Sequence, residues 1–361
     1  GFVEFSRHCL ACFFSLVSGG FQAVNLICRV HIVSARHLGL LCHFLLQLSQ
    51  LCLERIALAA ALSKGTVGAY HNLSRKFKWV GWLAVFSPFV IMSFYSVLGG
   101  YCIEYMALNL SNLAFAGAEI KTGADLFSAM LTNPFGCLAV TLLFLISCYL
   151  INRGGVSGGI EKFNKVGMPA LFVMLVIIII RSLTLPGAVE GLTFMVVPGY
   201  AVKAGFIAEA PNFATVLATA GGQMFFSLSI GMGAMITYGS YLDRKENIQK
   251  NGLLIVVMDS MVSFMAALCV LPARLALDPE GSLGGPSLLF VTMQNVFSRM
   301  GAVGPIFGII FYLLVVFAAI SSSISLLEVI VAHFVDKARD EGKGDKRKSY
   351  TLLAAALVGL G

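Results

Sequence analysis

The chain has 361 residues, 58% of them hydrophobic and 12% charged, with a mean hydropathy of +0.87. About a quarter of a soluble globular domain is charged, so this composition excludes one and implies a polytopic membrane protein. The net charge of +7 does not indicate a nucleic-acid partner, because of where the basic residues stand.

Apolar runs able to cross a hydrocarbon core of ~30 Å as helices fall at 79–108, 135–151, 166–185, 213–242, 250–277 and 304–335. A further run begins at 349. Several exceed crossing length, which permits tilt or a break. Sixteen Lys and Arg residues gather in the segments 64–78, 152–165, 243–250 and 336–348, whereas the alternate segments hold five: Lys121, Arg181, Lys203, Arg274 and Arg299. The positive-inside rule places the first set in the cytoplasm, which predicts a multi-pass protein of the inner (plasma) membrane. None of the nine cysteines lies in a predicted outer loop, so no disulfide framework is expected.

Residues 1–62 differ in kind. They hold five of the nine cysteines, four of the six histidines and four arginines, without a lysine. The metal-ligand types there (His8, Cys9, Cys12, Cys28, His31) repeat no spacing, and a zinc site needs four ligands on a structured scaffold. Compositional bias, not a metal site, is expected.

In the fourth run, residues 221–235 read GGQMFFSLSIGMGAM. Each glycine lowers helix propensity by about 1 kcal/mol, and lipid offers no water to a freed backbone group. Two readings stand here: small residues that let neighbouring helices approach, or a break that presents oxygens to a cation or polar ligand. Two other runs favour the break. Asp259 lies inside LLIVVMDSMVSFMAAL, where a carboxylate costs at least ~2.5–3.5 kcal/mol and calls for a cavity and a cationic partner. The run FAAISSSISLLE (317–328) carries Ser321, Ser322, Ser323 and Ser325, two of which are expected to bond back to their own helix. Such hard oxygen ligands suit a small cation, and at a mid-membrane break they point to an ion-coupled transporter.

Residues 284–301 read as a short amphipathic helix, either a lid or a loop lying on the membrane surface. Glu328, toward the inner end of its span, is expected to be paired with a base or backbone. Asp259, Glu328 and Glu104 form no nucleophile–base arrangement, so an enzyme and an organic cofactor are not expected.

From about residue 63 onward the chain resembles bacterial members of the neurotransmitter:sodium symporter family. The resemblance rests on PFVIMSFYSVLGGY (88–101), GGVSGGIEKFNKVGMPALF (154–172), RSLTLPGAVEGLTF (181–194), GGQMFFSLSIGMGAMITYGSY (221–241) and FAAISSSISLLE. It implies an all-α, inverted-repeat, broken-helix transporter fold, truncated here in about the ninth helix. It also implies sodium-coupled import by alternating access of an amino acid or related small amine, a neutral amino acid of fair size being expected.

Carried over by position, the resemblance assigns roles. Tyr95 matches the tyrosine that binds the substrate carboxylate, and Phe226 the aromatic that closes over the substrate. Ser227 matches the hydroxyl shared by substrate and first sodium, with Ile91, Ser229, Met232, Ser322 and Leu326 as the remaining wall. Asp259 matches a first-sodium ligand, and Ala318, Ser321 and Ser322 match those of the second sodium. Gly159 and Pro169 match the pair at which the fifth helix unwinds. Ser263 falls where chloride-dependent relatives keep a serine, but Asp259 one turn earlier already supplies a negative charge, so transport without chloride is expected.

The front end departs from the family. Its first-helix motif, Gly-Asn-x-Trp-Arg-Phe-Pro, should fall near residues 15–30, where the chain reads SLVSGGFQAVNLICRV. The Asn-Gly-Gly-Gly stretch before the second helix is missing too, and with both go the first-helix halves of the sodium and substrate sites. Residues 1–62 therefore read as an aberrant region, translated from a shifted frame, in place of the first two transmembrane helices. Residues 63–361 read as the symporter domain, about helices 3 to 9. An authentic but divergent front end is the alternative, although drift should keep the turn-forming Gly and Pro.

Overall fold

The computed structural model describes residues 64–114, 123–197, 199–206, 209, 212–242, 247–281, 285–342 and 346–360. The expectations for residues 1–62, the His/Cys set and the shifted frame included, lie outside them. The described residues form helices and no strand: α1 (Thr66–Leu73), α2 (Lys78–Ala114), α3 (Gly123–Leu131), α4 (Pro134–Asn152), α5 (Glu161–Leu183) and α6 (Ala188–Val196). There follow α7 (Phe213–Ser227), α8 (Ala234–Gly239), α9 (Ile248–Leu277), α10 (Met293–Arg299), α11 (Gly304–Asp340) and α12 (Arg347–Leu360). Among them, α2, α4, α5, α9 and α11 are long and apolar enough to cross a membrane.

Local chemistry starts three of these helices in the same way. The side chains of Asn133, Asn212 and Asn247 accept the amides of Gly136, Thr215 and Lys250 at 3.0, 2.8 and 3.0 Å. Each supplies an acceptor for one of the first-turn N–H groups that have no partner within the helix, and Pro134 adds a fixed φ at the start of α4. Along α4, Leu138, Leu142, Ile146 and Leu150 recur every fourth residue and stay exposed, while Phe144, Leu145 and Cys148 are buried. That outward apolar stripe suits lipid.

The centre of the bundle is α11, which packs on α1, α2, α4, α5, α8, α10 and α12, most extensively on α2. Every residue from Ser321 to Ala332 is buried, so its serines and Glu328 face protein on all sides. Close approach elsewhere depends on glycine: a Cβ on Gly100 of α2 would stand 2.8 Å from the Thr141 backbone nitrogen on α4.

The predicted runs all appear, with two corrections. The third helix begins with a π-turn at Val156–Ile160, ten residues before the predicted 166, so Lys162 and Lys165 lie on helix and not in a loop. Lys165 pairs with Glu161 one turn away at 3.1 Å, so charge here decorates a helix end instead of ending it. The second correction concerns the helix in 284–301, which does not lie on a surface. Leu288, Phe290, Met293, Val296 and Phe297 are all buried, and Gln294 accepts from Asn109 of α2 at 3.0 Å. Apolar residues on more than one face mark a helix enclosed by protein, which favours the lid reading. Helix α5 is wound continuously through Pro169, and a Cβ on Gly159 would meet the Ile151 carbonyl oxygen.

Candidate functional site

The break falls where the glycine-rich run predicts it. Helix α7 stops at Ser227 and α8 begins at Ala234, with no helix over 228–233. At 15 residues, α7 spans only ~22 Å, short of the membrane core. Its end is a Schellman turn: the Ser229 N–H donates to the Phe226 carbonyl at 3.0 Å and the Ile230 N–H to the Phe225 carbonyl at 2.9 Å. The left-handed position of such a turn is normally glycine. Here it is Ser229, at φ 55, the one non-glycine residue with positive φ among those described. Gly231 at φ 95 and Gly233 at φ 73 carry the chain onward to α8.

Ser229 is anomalous twice over. Its backbone is strained, and its buried hydroxyl has no hydrogen-bond partner. Ser229→Gly should relieve both and raise stability by about 1 kcal/mol, while weakening substrate binding if that hydroxyl faces the ligand. Thermal melting and ligand binding on one preparation separate the two effects. Unchanged binding would remove Ser229 from the site.

Next to this turn, the Ser227 hydroxyl lies 2.7 Å from both carboxylate oxygens of Asp259, and both residues are 2% exposed. Asp259 stands three turns into α9, on its buried face. Two residues predicted for the first sodium are thus in direct contact across 32 positions of sequence. On α11, the Ser321 hydroxyl donates to the Ala318 carbonyl at 2.9 Å, and Ser325 donates to the Ser321 carbonyl at 3.1 Å. Both serines bond back to their own helix, and the first bond brings together two oxygens predicted for the second sodium. The buried Tyr95 hydroxyl of α2 lies beside Ser322. Tyr95, Met232, Ala318 and Leu326 share one buried cluster, and Ile91 and Phe226 pack against it. Ser263 follows Asp259 by one turn on α9.

Comparison with known proteins now decides the family. Residues 133–360 match the model of the Sodium:neurotransmitter symporter family. The chain is 35% identical over 284 residues to YhdH, a sodium-dependent transporter of Bacillus subtilis, covering 78% of this chain. The chain belongs to the Sodium:neurotransmitter symporter family. It spans 59% of the length of the Bacillus relative. It is also 26% identical over 231 residues to the sodium- and chloride-dependent glycine transporter 1 of Xenopus laevis, covering 62% of this chain and 34% of the relative. The crystal structure of MhsT in complex with L-phenylalanine superimposes with a TM-score of 0.79 at 31% identity, over 98% of this chain and 77% of that one. The all-α, broken-helix transporter fold expected from the sequence is therefore the fold of this family member.

In this symporter-family chain, polar clasps tie described helices together at both ends of the bundle. At the end carrying the basic loops, fully buried Glu328 pairs with Arg347 of α12 and accepts from the Tyr241 hydroxyl at 2.8 Å. Glu328 is thus partnered, as its position predicts. Tyr238 donates to Ser325 at 2.9 Å, and the Thr66 hydroxyl donates to the Gly233 carbonyl at 3.0 Å, bracing the break from α1. At the opposite end Arg299 of α10 pairs with Asp278 at 3.1 Å, and Asn295 joins Asp278 at 3.3 Å and the Gly123 N–H at 2.9 Å.

Sequence reasoning missed Tyr238, Tyr241, Arg347, Asn152 and Gln223. Gln223 is buried one turn before Phe226, and its side-chain oxygen lacks a partner. Its only signal was a lone amide in an apolar run. The tyrosines gave none, since a tyrosine at a helix end reads equally well as an interfacial anchor.

Proposed function

We propose that the chain carries the core of a sodium-coupled symporter that imports a neutral amino acid of fair size by alternating access. The observation that carries this is the α7–α8 break: a strained, unsatisfied serine beside a buried Ser227–Asp259 pair. Proteins violate local rules chiefly at functional sites, and irregular backbone at membrane depth survives only inside protein or around a cavity. In this reading Ser227 and Asp259 hold the first sodium and Ala318, Ser321 and Ser322 the second. Tyr95, Phe226, Ser229, Ile91, Met232, Ser322 and Leu326 surround the substrate. Met232 and Leu326 make the side-chain end apolar and deformable, and the likeness to a structure holding L-phenylalanine supports a large neutral substrate. The basic loops face the cytoplasm of an inner (plasma) membrane, and the two polar clasps correspond to inner and outer gates.

The test is binding of radiolabelled L-phenylalanine and L-leucine to the purified chain in sodium or in N-methylglucamine buffer. Binding confined to sodium is expected, unchanged when gluconate replaces chloride. Equal binding in both cations would refute the coupling, and loss in gluconate would refute chloride independence.

A second reading has its own observation: residues 1–62 contain no Gly-Asn-x-Trp-Arg-Phe-Pro. In it the chain is a non-functional fragment or frame-shifted product lacking half of each site. Translating its DNA in all three frames decides the origin: the motif in another frame identifies a shifted front end. Absence of the motif from every frame, together with no sodium-dependent binding, identifies an inactive chain.

A further inference from the structure

We propose that the basic-loop end of the bundle binds the headgroup of one anionic phospholipid, held by Lys78 and Lys337 beside Trp82. This site shares no residue with the sodium and substrate sites, and it needs only that the chain spans a membrane. A cavity of about 370 Å³ lies here between α1 with the residues just before it, the start of α2 and the last turns of α11. Its wall brings together His71, Lys78, Trp82, His333 and Lys337.

The α2 side brings lipid to it. The chain has two tryptophans, Trp79 and Trp82, and both stand exposed in the first turns of α2. Tryptophan concentrates where hydrocarbon meets headgroups, because its ring is apolar and its N–H needs a polar partner. From Trp82 the exposed side chains of Phe86, Val90 and Phe94 follow at four-residue spacing, an apolar stripe that suits lipid. Trp82 belongs both to that stripe and to the cavity wall. It is 49% exposed and stands edge-on to the His333 ring, with centroids 4.5 Å apart. The cavity thus adjoins acyl chains on one side, at the level where α2 and α11 pass from apolar to charged residues.

Charge selects the headgroup. Three carboxylates also line the cavity, but two are engaged: Asp336 accepts the Gly65 N–H at 2.7 Å, and Asp340 pairs with Lys64 at 2.9 Å. The third, Glu341, is exposed just past the end of α11. Among the described residues neither Lys78 nor Lys337 has an ion-pair partner. Two ammonium groups, with two imidazoles as further donors, suit a phosphate. A headgroup without a cation of its own fits them best, since a zwitterionic one would bring another positive charge beside the lysines. A free phosphate would use the lysines but not Trp82, whereas a phospholipid uses both. Bound there, the lipid bridges α1 and α2 to the end of α11, next to the Lys64–Asp340 pair that already joins them.

The test titrates the full chain in a neutral detergent with phosphatidylglycerol, phosphatidylcholine or inorganic phosphate. Native mass spectrometry counts bound lipid, and thermal melting is followed on the same samples. A neutral micelle has no charged surface, so general attraction between basic loops and an anionic leaflet is absent. One phosphatidylglycerol per chain is expected, bound about tenfold more tightly than phosphatidylcholine and raising the melting temperature. The double variant Lys78→Gln with Lys337→Gln should lose that preference. Lys76→Gln with Lys348→Gln, which removes equal charge outside the cavity, should keep it. Equal binding of the two lipids by the wild type, or equal losses in the two double variants, overturns the proposal. Displacement of the lipid by millimolar phosphate marks a site for the free anion and overturns it too. Lys78 and Lys337 are exposed, so their double variant should melt with the lipid-free wild type. Should it melt lower, Lys337→Gln alone must still bind phosphatidylglycerol about threefold more weakly, and wild-type affinity there overturns the proposal.

Discussion

Asp259→Ala is expected to abolish sodium-dependent substrate binding, with a loss of sodium affinity on the order of ten- to a hundredfold from the missing charge-assisted contacts alone. The reason is geometric. Ser227 is held at 2.7 Å by both carboxylate oxygens, so the substitution removes the carboxylate charge and frees the hydroxyl at the end of α7. Asp259→Asn separates the two effects. It keeps an acceptor for Ser227 but deletes the negative charge, leaving Ser263 one turn away on the same helix. Sodium binding in that variant should appear with chloride and fade with gluconate. If Asp259→Asn binds sodium equally well in both anions, the fixed carboxylate is not what replaces chloride.

Arg347→Ala is expected to produce the largest loss of stability. Glu328 has no solvent exposure, and Arg347 is its cationic partner. Removing one member of a buried pair leaves an uncompensated charge, at a cost of about 3–5 kcal/mol. The effect should be lopsided: Glu328→Leu combined with Arg347→Leu should recover most of the loss, because two apolar side chains need no compensation. Thermal melting of the three proteins in detergent checks this. A single Arg347→Ala variant that melts with the wild type would mean that the Tyr241 bond alone suffices for Glu328. The pair also ties α11 to α12 next to Asn152 of α4, since the Arg347 side chain donates to the Asn152 carbonyl at 3.5 Å. Its loss should loosen the basic-loop end as well as lower the melting point.

Much of this protein was legible in its sequence, because lipid narrows the choices. With no water to satisfy a backbone group, an apolar run of sufficient length must be a helix, and the runs at 135–151 and 250–277 agree with α4 and α9 to within a few residues. The break was legible for the same reason: glycines and serines at mid-membrane need a structural cause, and the backbone turns left-handed at Ser229, Gly231 and Gly233. Asp259 announced itself as a carboxylate too costly to stand there unpartnered. What composition and periodicity could not decide was which distant groups meet. Ser227 and Asp259 touch across 32 positions, and Tyr241 and Glu328 across 87. The 284–301 helix was ambiguous because an amphipathic stripe suits a membrane surface as well as a groove, and only the enclosing α2, α9 and α11 bury its remaining faces. The sequence by itself determined the helices and their break, since these follow from local cost in lipid, and its motifs carried the family resemblance. The tertiary structure decided the pairings, because a polar group's partner depends on where neighbouring helices bring it.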